Sequence, residues 1–371
     1  MSTLNVNTIN AATSGQAVAV DISNPKSFRN LHVNGGMLVH QRGGSITSDG
    51  YSLDMFARQT NGTGGAYTIT QSTTAPVGFS KSLKVDVTTA DTTITGNEYI
   101  QIKSKIEAQD LQQLAYGTAS AKNMVLSFYV RSNKTGNYSV NIKQGDSSFR
   151  QVTLQYTINS ADTWERKSFS IAGDQSGNIN DDTGDGFIIC WGLCAGPDKK
   201  SGSLRSAWHA QVDADQHVGM GVNILDSTSN EWYLTGVQLE VGSYATDFEH
   251  RSYSDELARS KRYFQRYPEI GSDGYSAYPG NAAACMSSTG AGWAVKLDTM
   301  RAAPTVTEDG SHRIVIQNTG HSVTSFSTPH MSASTAWIVL TCSGGGMGEG
   351  KAGIVGRNND TSGYWNFSAE L

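Results

Sequence analysis

The residues best placed to do chemistry sit in one polar stretch, Ser203 to His217, SLRSAWHAQVDADQH. Trp208 offers a flat ring, and Gln211, Asp213 and Asp215 follow it with an amide and two carboxylates. A neutral sugar asks for both kinds of group: an apolar surface under its C–H face and hydrogen-bonding side chains for its hydroxyls. These four are the candidate ligand-binding residues. The competing reading is that Trp208 packs over the end of a core, where so large a ring removes much apolar area from water. In a strand, the D-x-D-x-H spacing of Asp213, Asp215 and His217 sets all three on one face, open to a metal or a sugar. On a loop edge they are simply solvated.

Other constellations are weaker. Asp174, Asp181, Asp182 and Asp185 crowd into GDQSGNINDDTGDG, an oxygen-rich segment that could hold a structural Ca²⁺. It lacks the D-x-[DN]-x-[DN]-G spacing with a distal Glu, and the plain reading is a solvated loop. No other cofactor is expected. Glycoside hydrolysis needs two carboxylates facing each other across a cleft, and no spacing here specifies such a pair. There is no G-x-S-x-G elbow and no H-E-x-x-H, and the Gly-rich Ser343–Gly350 lacks the G-K-[ST] ending of a phosphate loop. The expectation is a protein that is not an enzyme. Its four cysteines, Cys190, Cys194, Cys285 and Cys342, are too sparse for a disulfide framework. Cys190 and Cys194 would share one face of a strand. Without further ligands at zinc spacing, buried free thiols are expected.

Whatever these side chains do, β structure must position them. The 371 residues include 40 Gly, and only 16% are charged. That suits short strands and tight turns, so the fold class expected is all-β. A net charge of −5 with no basic tract argues against nucleic acid as a partner. The richest basic stretch, Arg259, Lys261, Arg262 and Arg266, is short and follows Asp255 and Glu256. No apolar run is long enough to span a bilayer, so no membrane insertion is expected. Met1 to Ala19 shows neither the basic nor the apolar region of a signal peptide.

Period-2 alternation and turn residues predict strands at 67–71, 82–87, 99–106, 123–131, 137–143, 149–158, 165–171, 186–193 and 231–241. The continuously apolar 123–131 reads as a central strand, and the alternating 99–106 as a half-buried edge. Asn133 to Gly136 reads as the turn of a hairpin. Residues 105–114 suggest a short helix. Eight or more strands without long helices point to a jelly-roll β-sandwich over 45–250. Ser252 and Asp255 fit a capping box at the head of a helix over 255–266, ended by Pro268. After this linker helix, 251–267, a second and smaller C-terminal β domain occupies 268–371. Its expected strands lie at 282–286, 292–297, 313–317, 336–342, 352–355 and 364–370. Residues 1–44 read as an extended attachment segment. In 231–241, Gly236 marks a bulge or a close backbone approach, with Gln238 and Glu240 turned away from the core. Trp164 and Trp191 read as core, and Tyr275 to Tyr278 and Tyr364-Trp365 as rival aromatic sites.

Two stretches carry a resemblance. Asn30 to Gly43, NLHVNGGMLVHQRG, is similar to the opening of many phage tail and fibre proteins. Trp232 to His250, WYLTGVQLEVGSYATDFEH, followed by DELARSKRYFQR, resembles the end of the carbohydrate-binding-module-like jelly rolls of phage tail proteins. Ser260 and Lys261 stand where that family often has Cys and Gln. With Ser2 to Ile9 the matches bracket residues 1–266. Beyond them the likeness thins to Arg301-Ala302-Ala303-Pro304 and the Ser368–Leu371 end. The resemblance implies a virion component made in a host cytoplasm, a tail-fibre or adhesin subunit in the family's pattern, assembled as a homotrimer. It would meet other virion proteins through its N-terminal segment and bind a host surface glycan or receptor. A non-receptor structural protein of the virion, such as a tail adaptor or capsid decoration, is the alternative, and a polysaccharide depolymerase a more distant one.

Overall fold

The structure, a computed structural model, describes residues 29–146, 148–268 and 282–371. Eleven strands build the first unit: β1 (Gly50–Tyr51), β2 (Phe56–Asn61), β3 (Ala66–Ser72), β4 (Ser82–Thr89), β5 (Tyr99–Glu107), β6 (Met124–Ser132), β7 (Gly136–Gln144), β8 (Gln151–Ile158), β9 (Glu165–Ile171), β10 (Asp185–Ala195) and β11 (Glu231–Val241). They form two antiparallel sheets, ordered β1-β2-β5-β10-β7-β8 and β3-β4-β11-β6-β9. Alternate residues of both sheets point inward and make one core. Ile102, Val140, Phe187, Ile189 and Trp191 face Leu83, Val85, Leu126, Phe128, Trp232 and Leu239. This is the all-β sandwich that the alternation predicts.

Several local expectations are corrected. β6 and β7 are not a hairpin, because they lie in opposite sheets. Both strands carry core residues, and the Asn133–Gly136 turn takes the chain across the sandwich rather than back alongside itself. The Tyr138 hydroxyl donates to the Lys134 carbonyl (2.7 Å) and pins that crossover. β5 is not an edge, since β2 and β10 flank it. Its outer face is half-buried because it floors a groove. Residues 105–114 give the end of β5 and then a 3₁₀ turn, Ala108–Leu114. Cys190 and Cys194 do not share a face, because a register shift between Gly192 and Cys194 turns the second inward. All four cysteines are free and buried.

In β11, Trp232 and Leu234 reach the core in one phase, and Val237 and Leu239 in the other. A bulge between Thr235 and Gln238 makes this possible, with Gly236 at φ +62°. A Cβ there would come within 2.8 Å of the Phe79 ring. Gln238 and Glu240 therefore lie off the core, yet they are buried. The Thr246–Glu249 stretch covers them, with Gln238 bonded to Thr246, Asp247 and Glu249, while the described part of the 1–44 segment, residues 29–44, pairs with β11 and packs on the core, so it is part of the sandwich rather than a separate arm. Leu31 donates to the Leu239 carbonyl (2.8 Å) and Val237 to the Gly35 carbonyl (3.0 Å), continuing the sheet past the bulge.

Arg251 locks this arrangement. Its guanidinium donates to the carbonyls of Asn30 and His32 and pairs with Glu249 (3.1 Å) and Glu256 (3.3 Å). Glu249 accepts the Asn30 amide (2.8 Å), and Glu256 the Asn34 amide (2.7 Å). Glu240 holds Thr246 through both the amide (2.8 Å) and the hydroxyl (2.6 Å). The helix that supplies Glu256 runs Tyr253–Ser260 and is capped by Ser252, whose hydroxyl accepts the Asp255 amide. It is shorter than the 255–266 expected. Phe264–Tyr267 leaves it as β12, because β20 (Tyr364–Ser368) captures that backbone in a third, three-stranded sheet with β15 (Thr305–Asp309).

The C-terminal unit also holds a closed six-stranded barrel: β13 (Ala282–Cys285), β14 (Gly290–Lys296), β16 (His312–Ile316), β17 (Thr319–Met331), β18 (Thr335–Cys342) and β19 (Ala352–Arg357). Trp293, Trp365, Ile338 and Leu340 fill it. Salt links join it to the sandwich. Arg42 pairs with Glu370 (2.6 Å), and Arg262 grips the fully buried Glu107 with two hydrogen bonds (2.5 and 2.7 Å). Arg301 donates to the carbonyls of Thr183, Ala369 and Glu370.

Arg251→Met removes the cation and leaves Glu256 buried without it. Breaking one side of such a buried pair costs about 3–5 kcal/mol. Urea unfolding of the variant is expected to show a loss in that range, and a loss below about 1 kcal/mol contradicts the role given to this clasp.

Candidate functional site: a polar groove on the six-stranded sheet

The strands that bury Ile102, Val140 and Trp191 inward must present their alternate residues outward. On β5 these are Gln101, Lys103 and Lys105, on β10 Ile188 and Cys190, and on β7 Asn141 and Lys143. Gln59 of β2 stands opposite Gln101. The long connection between β10 and β11 folds back over one end of this face. His217 is its anchor: fully buried, with Nδ1 3.0 Å from Ser139 Oγ and Nε2 2.9 Å from Gln101 Oε1. The Gln101 oxygen only accepts, so Nε2 carries the hydrogen and Nδ1 accepts from Ser139. Gly192 lies directly beneath, where a Cβ would be 2.4 Å from the imidazole. The connection also pairs with β8, through two backbone bonds between Gln151 and His209 (2.8 and 3.0 Å).

What stays open is a groove of about 470 Å³, lined among others by Gln59, Tyr99, Lys103, Lys143, Phe149 and Gln211. Lys105, Lys199 and Asp213 complete its charged lining. Gln59 donates to the Tyr99 hydroxyl (3.2 Å), and Gln101 to the Gln59 oxygen (2.9 Å). Lys199 pairs with Asp213 (2.7 Å), which holds that carboxyl below the usual carboxylate range and therefore ionised. Burial pulls the Lys103 and Lys143 ammonium groups below the ordinary lysine value, and the neighbours Lys105 and Lys199 add to the effect. Burial pushes the Cys190 thiol up, so it is a poor nucleophile.

The four residues expected to bind a ligand separate in space. Trp208 is only 7% exposed and belongs to the core. It stacks on Phe187 (5.7 Å), meets Tyr116 edge-on, and donates its indole N–H to the Ala172 carbonyl (3.0 Å). It presents no ring face to a ligand, because the polar sequence around it covers a core residue. Asp215 is buried as well, accepting the Ser203 amide (2.7 Å) beside Arg205 (3.2 Å). Gln211 and Asp213 do reach the groove. Asp213, Asp215 and His217 diverge on a 3₁₀ turn rather than sharing a strand face. The expected Asp cluster also disperses. Asp174 pairs with Arg150 (2.5 Å), Asp185 pairs with Lys105 (2.6 Å), and Asp182 accepts the Gly184 amide (2.7 Å). Among the described residues, no group of three His, Cys, Asp or Glu is placed to hold a metal ion.

The aromatic residue that does face out at the groove is Phe149, 46% exposed. It and Ser148 both hold positive φ, 58° and 60°, a region that side chains avoid unless the surroundings impose it. Its place at the head of an expected strand hid it in the sequence. Tyr99, half-buried, is the second ring. Trp164 is half-buried against Tyr233 on the outer face of the other sheet, while Trp191 and Trp365 are core. Tyr275 to Tyr278 lie outside the described residues.

No protein-family model matches the chain, and no curated protein matches it in sequence. Similar solved structures include the enzymatically active domain of bacteriophage CBA120 tailspike protein 4, at 11% identity and TM-score 0.30, over 57% of this chain and 21% of that one. A family 11 carbohydrate-binding module from Clostridium thermocellum, in complex with a β-1,3-1,4-mixed-linked tetrasaccharide, matches at 9% identity and TM-score 0.27, over 56% of this chain and 98% of the module. The CBM22-1–GH10 modules of xylanase 10B from C. thermocellum match at 10% identity and TM-score 0.30, over 60% of this chain and 30% of that one. The chain thus spans about a fifth of the tailspike domain. At these TM-scores no ligand or activity carries over.

Burial lowers the His217 pKa from 6.5 to about 3, and that of His32 to about 4. The unfolded chain takes up these protons near pH 6.5 and the folded chain does not. Their contribution is complete above pH 6.5 and is lost as pH falls toward 3. His217→Asn is expected to flatten the fall in urea midpoint between pH 7 and pH 4.5, with His32 keeping part of the slope. An unchanged fall contradicts a neutral, buried His217.

Proposed function

We propose that this chain is a non-catalytic glycan-binding subunit of a virion, in the manner of a tail fibre or adhesin. The observation that carries the binding part is the groove, a polar face of amides and lysines with Phe149 and Tyr99 at its margin. Amides and ammonium groups suit sugar hydroxyls, and exposed rings suit sugar C–H faces. A single carboxylate, Asp213, lines it, and Lys199 keeps that group ionised. Retaining and inverting glycosidases both use two, so the lining favours binding over cleavage. The virion part rests on the NLHVNGGMLVHQRG and WYLTGVQLEVGSYATDFEH stretches. A homotrimer would multiply weak sites through effective concentration, with attachment to other virion proteins through the N-terminal segment.

A second reading, a structural virion protein without a receptor, draws on a different observation. The residues that carry the resemblance, Asn30, Asn34, Gln238, Glu240 and Glu249, are spent on internal hydrogen bonds.

Phe149→Ala removes an exposed ring without touching the core. Affinity electrophoresis on bacterial surface polysaccharide is expected to show retention weakened about tenfold, the scale of one interfacial anchor, at an unchanged thermal midpoint. Undiminished retention would sink the groove as the site. Light scattering distinguishes assembly states: three times 39.7 kDa supports the trimer, and 39.7 kDa excludes it.

A further inference from the structure

The groove carries an excess of positive charge on a chain whose net charge is −5. Four lysines line it, Lys103, Lys105, Lys143 and Lys199, against one carboxylate, Asp213. Two lysines are answered. Lys105 pairs with Asp185 at 2.6 Å, and Lys199 with Asp213 at 2.7 Å. Lys103 and Lys143 have no carboxylate within ion-pair distance among the described residues. They stand on either side of β10, next to Cys190 and Ile188 in the registers Lys103↔Cys190 and Lys143↔Ile188. Each also has a like charge nearby, Lys105 for the first and Lys199 for the second. Half-buried like charges repel, and desolvation adds to the cost. An anion placed between the two strands relieves both penalties.

Resting on the glycan-binding reading above, we infer that the groove selects acidic polysaccharides, with Lys103 and Lys143 holding a negatively charged substituent on the sugar chain. Gln59 and Gln211 supply the neutral hydrogen bonds around it, and Phe149 the ring surface. An ammonium is a point charge that fits either anion, so the shared chemistry is a sugar bearing a carboxylate or a phosphate. The amides among the lining and the net charge of −5 on the chain favour a glycan over a nucleic-acid strand.

The test uses the full chain on an array of bacterial capsular and lipopolysaccharide fractions. Each fraction is printed native, after carboxyl reduction to the alcohol, and after dephosphorylation with hydrofluoric acid. The best-bound fraction is expected to lose about tenfold in affinity after one of the two treatments, and which one identifies the anion. Lys103→Gln/Lys143→Gln is expected to bind the native fraction no better than wild type binds the treated one, the scale of two partly exposed ionic contacts. A circular-dichroism melt checks that the variant is folded, and either single substitution serves if the double is not. Binding that survives both treatments and the lysine substitutions, yet falls with Phe149→Ala, overturns the acidic preference and leaves glycan binding standing. Absence of binding to every fraction overturns both. Equal or tighter binding of a single-stranded oligo-dT through the same lysines overturns the glycan assignment.

Discussion

The Arg251 guanidinium is the interaction on which the rest of this structure depends. It ties the Asn30–Gly35 segment to a stretch some 220 residues away in the chain, the end of the Gln238–Glu249 run and the helix beginning at Tyr253. A charge so enclosed is costly unless it is paired and hydrogen-bonded. Here backbone carbonyls and two carboxylates engage both terminal nitrogens, and those carboxylates in turn satisfy the Asn30 and Asn34 amides. Once the Asn30–Gly35 segment is fixed, it pairs with β11 beyond the Gly236 bulge and closes that side of the five-stranded sheet. The same helix leads into β12, which starts the second unit.

A consequence for function follows from which face is left. The five-stranded sheet has its outer side partly covered by the Asn30–Gly35 segment and by Phe79 and Phe248. On the outer side of the six-stranded sheet, among the described residues, lies the β10–β11 connection, seated on His217. That connection covers one end and becomes the groove's wall. The groove is therefore made by strand alternation and by one buried, neutral histidine, and its chemistry is set by what β5, β7 and β10 place at alternate positions.

Much of this was legible in the sequence, and the misses share physical causes. The 165–171 and 231–241 strands emerged with their true bounds, because alternation and flanking turns are local signals. β17 (Thr319–Met331) stayed hidden, since its few apolar residues, Val323, Phe326 and Met331, are put out of alternation by two register shifts and Pro329 interrupts it. A register shift broke the parity argument for Cys190 and Cys194. Trp208 misled because burial is decided by tertiary packing against Phe187 and Tyr116, which a polar neighbourhood does not reveal. Gln211 and Asp213 were found on the same stretch because their exposure is local. Lys103, Lys143 and Phe149 come from three different strands or turns. Only the register across β10 brings the two lysines near each other, and no spacing along the chain encodes it.

The central claim is that the outer face of the six-stranded sheet is the binding surface of this protein. Hydrogen–deuterium exchange with and without a bound bacterial polysaccharide measures that directly. The account predicts slowed exchange in β5, β7, β10 and the 196–222 connection, with the barrel strands unchanged. Protection confined to the C-terminal barrel, or to the outer side of the five-stranded sheet, would contradict it.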